Sequence, residues 1–95
     1  MGKQELIPFD AADYLKSEDD IALYLSAVLE DGSIQEIAAA LGDIARARGM
    51  ARVASDAGLS RESLYKGLSG ERTPTADTLL RVIRALGLKL SVRPA

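Results

Sequence analysis

The side chains best equipped for directional chemistry in this 95-residue chain fall in one stretch, Ser-Arg-Glu-Ser-Leu-Tyr-Lys at positions 60–66. Arg61 offers a planar fork of donors that fits two adjacent acceptors at once, such as O6 and N7 of guanine. Glu62 can only accept and suits an amino donor such as cytosine N4, while the Ser63 hydroxyl works in either sense. One turn on, Tyr65 and Lys66 supply an aromatic face and a mobile ammonium suited to a thymine methyl or a phosphate. Around them stand groups that fit phosphate oxygens: Arg48 and Arg52 upstream, Ser60 at the start, and Ser69, Gly70, Arg72 and Thr73 downstream. The expected base contacts are therefore Arg61, Glu62, Ser63, Tyr65 and Lys66. The expected phosphate contacts are Arg48, Arg52, Ser60, Ser69, Gly70, Arg72 and Thr73.

Such side chains work only if a scaffold presents them, and the flanking sequence MARVASDAGLSRESLYKGLSG (50–70) reads as that scaffold. Val53, Ala54 and Ala57 are apolar before the Gly58-Leu59-Ser60 turn, and Leu59 and Leu64 are apolar after it. Ala54 is small where a second helix must cross close above. Gly58 suits the left-handed backbone that a three-residue turn demands. Leu59 plugs the core, and Ser60 caps the next helix. This is the helix-turn-helix pattern, at 50–68, in which the second helix enters the major groove of DNA.

The remaining elements follow from period and caps. The segment to Phe9 reads as an extended arm, and Asp10 caps a short turn through Leu15. Ser17 and Asp20 resemble a capping box ahead of Ile21, Tyr24, Leu25, Val28 and Leu29, an amphipathic helix closed by Gly32. Ser33 and Glu36 form a second box ahead of a helix running to Gly49. Further helices are expected at 50–57, 61–68 and from Thr75 to Gly87. Arg81 and Arg84 lie opposite the Leu79/Ile83 stripe and read as solvated charges, while Tyr14 and Tyr24 read as core. From Leu88 the period changes to two, which predicts a strand at 88–93. A lone strand needs a partner: the 5–9 arm, a second copy, or another protein. The expected organisation is an arm and helical turn at 1–16 followed by one helical domain at 17–95.

The chain contains neither cysteine nor histidine. That removes disulfides, thiolate nucleophiles, imidazole bases and His-containing zinc sites. No Gly-rich phosphate loop or nucleophile–base pair is present either, so the expectation is a binding module without cofactor rather than an enzyme. The net charge of −2 conceals a split. Residues 1–45 hold two bases and ten acids, a net of −8, whereas residues 46–95 hold ten bases and four acids, a net of +6. Two surfaces for two partners are one account of this; solvation of both halves is the other. The length limits the core, so oligomerisation is expected. No apolar run reaches bilayer length and the first residues lack a signal-peptide core, which predicts a cytoplasmic protein without membrane contact.

The run SRESLYKGLSGERTP (60–74) resembles the lambda-repressor/Cro type of helix-turn-helix. The blocks FDAADYL (9–15), DIALYL (20–25), ALGDIARARGMARVA (40–54), GLSRESLYKGLS (58–69) and ALGLKL (85–90) together resemble the addiction-module antidote family, the HigA-like antitoxins. That likeness implies an all-α, five-helix lambda-repressor-like DNA-binding domain with a short C-terminal β-strand. It also implies a cognate toxin as partner, usually a RelE-like ribonuclease, and repression of its own operon through double-stranded operator DNA, as a homodimer. By position, Arg61, Glu62 and Ser63 would read bases, with Tyr65 and Lys66 close by. Gly67 departs from the aliphatic residue often found there, which would loosen the far end of the helix. The alternatives are a stand-alone phage-type repressor without a toxin, and an adaptor that uses the helical corner only to bind protein. The dimer contact is open between the strand, the fifth helix and the arm.

Overall fold

The computed structural model describes residues 15–95. The expected arm, the Asp10 cap and Tyr14 lie outside the described residues. Five helices follow: α1 (Glu18–Asp31), α2 (Ile34–Arg48), α3 (Met50–Ala57), α4 (Arg61–Gly67) and α5 (Ala76–Ala85). Four of them start where a hydroxyl can accept an otherwise unpaired amide. Ser17, Ser33, Ser60 and Thr75 accept from Asp20, Glu36, Ser63 and Thr78 in turn. Among the described residues the full reciprocal box forms only at α2, where Glu36 reaches back to the Ser33 amide at 2.8 Å. At α1 the N3 residue is Asp20, one methylene shorter, and only the serine half of the box is made among the described residues.

α2 is the central helix, packed against α1, α3 and α5, while α3 also packs against α4 and α5. Ile21, Leu41, Ile44, Leu64 and Val82 are wholly buried, one from each helix except α3 and two from α2. Each stabilises the fold by about 1.5–3 kcal/mol relative to an exposed position. α3 contributes Met50, Val53, Ala54 and Ala57, as the turn pattern requires. The α1 stripe is narrower than its periodicity suggests: Ile21 and Leu25 are buried, but Leu29 stays exposed.

Two expectations are corrected. Residues 88–93 form no strand; they run on without a ladder among the described residues. Leu88 donates to the Ile83 carbonyl at 3.1 Å and packs on the core, and Arg93 pairs with Glu30 of α1 at 3.3 Å. The tail therefore docks on helices, whose backbone groups are already satisfied and offer no ladder partner. Arg81 is likewise not a plain solvated charge. It pairs with Asp77 at 2.9 Å and donates to the Ala57 carbonyl at 3.3 Å, so it closes the end of α3 from α5.

Candidate functional site

The α3–α4 corner turns through Gly58, which is left-handed at φ 71° and donates to the carbonyls of Ala54 and Ser55. Leu59 follows, its amide on the Ala54 carbonyl at 2.9 Å and its side chain half-buried against the core. Ser60 then caps α4. Its Oγ accepts from the Ser63 amide at 3.0 Å and donates to the Ser63 hydroxyl at 2.9 Å. Ser63 thus spends an acceptor site on its own helix and keeps its hydroxyl proton for an outside acceptor.

Leu64 anchors α4 to the core, so Arg61, Glu62, Ser63, Tyr65 and Lys66 all face outward. The guanidinium of Arg61 lies 5.8 Å from the Tyr65 ring centroid, a cation–π distance that steadies both side chains one turn apart. Lys66 and Glu62 approach to 4.0 Å, but both are well exposed. Such a pair contributes only about 0.3–0.5 kcal/mol, so either partner is easily captured by an external group.

At the far end, Gly67 has a positive role. A Cβ there would come within 3.1 Å of the Thr78 methyl, so glycine admits the start of α5, and buried Leu68 seals the helix. The Ser69 hydroxyl is occupied internally, donating to the Lys66 carbonyl at 3.2 Å and accepting from the Glu71 amide at 3.1 Å. Gly70 is left-handed at φ 82°, and Arg72 and Thr73 are exposed on the loop ahead of buried Pro74.

Arg48 ends α2 and Arg52 lies in the first turn of α3, both exposed. They line a shallow cleft of about 150 Å³ with Glu18, Asp56 and the end of α5, and Arg52 stands 3.9 Å from Asp56. Tyr65 and Ser69 line a second cleft, with Leu68 between them in the chain. Arg46, not singled out from the sequence, shares that cleft with Tyr65, Leu68 and Ser69. It is ion-paired with Asp43, which also accepts from the Tyr24 hydroxyl at 3.0 Å. Burial, and then the bond to Asp43, push the Tyr24 phenol above its ordinary value. The Asp43-x-x-Arg46 spacing was the available sequence signal.

These features define a small protein that is all-helical among the described residues, with an exposed polar face on α4 and the loop after it. Among the described residues no helix is long and apolar enough to cross a membrane. Residues 5–94 match the family described as probable addiction module antidote protein, and the chain belongs to that family. It is also 50% identical over 90 residues to an uncharacterized protein of Haemophilus influenzae, covering 95% of this chain and 93% of that one. No solved structure matches it. Family membership suggests the role of an antitoxin and implies a toxin as its partner.

Proposed function

We propose that this antidote is also a DNA-binding repressor of its own operon, acting in the cytoplasm as a homodimer, and that its toxin is a RelE/HigB-like ribonuclease. The α3–α4 pair is then a helix-turn-helix of the lambda-repressor type. Arg61, Glu62, Ser63, Tyr65 and Lys66 meet base edges, and Arg48, Arg52, Ser60, Ser69, Gly70, Arg72 and Thr73 meet the passing phosphates. The observation that carries this is the outward polar face of α4, capped by Ser60 and held from beneath by Leu64 at a tight left-handed corner. Arg46 joins the phosphate contacts through its place beside Tyr65 and Ser69. A dimer places two such helices about 34 Å apart, one turn of DNA.

The test is binding to the native upstream DNA across a salt series. Log affinity falls linearly with log salt if phosphates are neutralised. Salt-independent or absent binding overturns the reading and leaves the protein-binding adaptor. Membership of the antidote family favours the antitoxin over a stand-alone repressor. The acidic half supplies the toxin-facing surface: charge reversal at Asp19, Asp20 and Glu30 weakens toxin binding and spares operator binding. Because Glu30 also holds Arg93, its effect is read separately from the other two. Unchanged toxin affinity removes the acidic surface from the account.

A further inference from the structure

The tail after α5 keeps the pattern of a strand without being one. Leu88, Leu90 and Val92 alternate with Lys89, Ser91 and Arg93. Leu88 is seated on the core, but Leu90 is 50% and Val92 98% exposed. Beyond the Leu88 amide, no backbone hydrogen bond ties the tail to the other described residues. On its α1 side the tail is held by the Arg93–Glu30 pair. On its α5 side runs an open groove of about 220 Å³, with Leu80 and Ile83 in its lining.

An exposed apolar segment with unspent backbone donors and acceptors is a template for another strand. The hydropathy of this one is symmetric about Leu90, which bears on the identity of the partner. In an antiparallel pair, residues directly opposite share a face. Centring two copies on Leu90 sets Leu90 against Leu90, Leu88 against Val92, and Lys89 against Ser91. Centring on Ser91 instead sets Lys89 against Arg93, and centring on Lys89 sets it against itself. Both place like charges opposite each other, which is destabilising. A centre between two residues sets apolar against polar throughout. Pro94, with no amide proton, ends the pairing.

We propose that residues 88–93 of two copies pair as an antiparallel ribbon with the two-fold axis at Leu90, the second strand entering over the α5 groove. This deepens the homodimer reading by naming its interface and register. The ribbon covers Leu90 and Val92 of both copies and satisfies the strand pattern that one chain leaves unmet.

The absence of native cysteine makes the register directly readable. Single-cysteine variants Lys89→Cys, Leu90→Cys and Ser91→Cys are oxidised mildly without DNA or toxin, so the result is independent of both activities. Leu90→Cys cross-links to itself. Lys89→Cys and Ser91→Cys each cross-link poorly alone but join one another when differently tagged chains are mixed. In sedimentation, Leu90→Asp raises the dimer dissociation constant by roughly tenfold or more, since two apolar burials are lost. Its circular dichroism is unchanged because Leu90 is half exposed in the single chain. Equal cross-linking at all three positions, cross-linking of Lys89→Cys alone, or a wild-type chain that sediments as a monomer at every concentration overturns the proposal.

Discussion

The guanidinium of Arg81 in α5 donates to the carbonyl of Ala57, the last residue of α3, at 3.3 Å. The bond reaches a helix C-terminus, where carbonyls lack partners and the helix dipole favours a cation. It also braces the turn, because Gly58 lies just beyond: a Cβ at that position would stand 3.1 Å from the same Arg81 nitrogen. Arg81→Ala therefore destabilises the fold by about 0.5–1 kcal/mol, the lower part of the range for such bonds because the side chain is half exposed. Chemical denaturation of the two proteins measures it. Arg84→Ala, at an exposed site on the same helix, is the control and leaves the midpoint in place.

The α2 capping box gives a prediction with a pH signature. Ser33→Ala removes the acceptor for the Glu36 amide and costs about 1 kcal/mol. Glu36 accepts from the Ser33 amide, and that bond holds its carboxyl below the ordinary value of 4.5. A lowered folded-state pKa contributes stability above the unfolded value and loses it as pH falls through the folded one. Acid titration of Glu36→Gln therefore shows a shallower loss of stability through and below pH 4.5 than the parent chain shows.

What could be seen in advance was what is decided within a few residues. The hydroxyls of Ser17, Ser33, Ser60 and Thr75 each bond an amide three positions on, and Gly58 takes its turn from its own backbone freedom. The outward set Arg61, Glu62, Ser63, Tyr65 and Lys66 follows from Leu64 facing the core. The tail failed because a period of two specifies a strand only where a second backbone is available. Arg81 to Ala57 and Tyr24 to Asp43 join residues 24 and 19 positions apart, so helical period alone placed neither. The cleft that Arg48 and Arg52 share with Glu18 and the end of α5 has the same origin, since it depends on how the helices pack.

Tyr24 links α1 to the α2 face that adjoins α4, through Asp43 and Arg46. Tyr24→Phe keeps the ring and loses one hydrogen bond, which costs about 0.5–1.5 kcal/mol. The pH dependence has a definite sign. Burial and the Asp43 bond raise the phenol pKa above 10.0 in the folded chain. The native state then holds its proton more tightly than the unfolded chain does. The resulting stability is complete below pH 10 and is lost as pH rises through the folded value. The gap in denaturation midpoint between parent and Tyr24→Phe accordingly narrows above pH 10; a gap that stayed constant would remove the hydroxyl from the account.

Arg61 and Arg72 differ in what holds them, and on operator DNA they should fail differently. Arg61 sits in the first turn of α4 with its guanidinium over Tyr65, and under the proposed DNA-binding reading its fork meets one base pair. Arg72 is exposed on the loop before Pro74, suited to a passing phosphate. Arg61→Ala costs about 1–3 kcal/mol on the native site and relaxes preference at a single position. Arg72→Ala weakens binding evenly across sequences and lowers the salt slope by about 1. Titrations of both variants against a panel of single-base operator substitutions, repeated at several salt concentrations, separate the two. An even loss for Arg61→Ala would reassign that residue to the phosphate strand, leaving Glu62 and Ser63 as the readers at the start of α4.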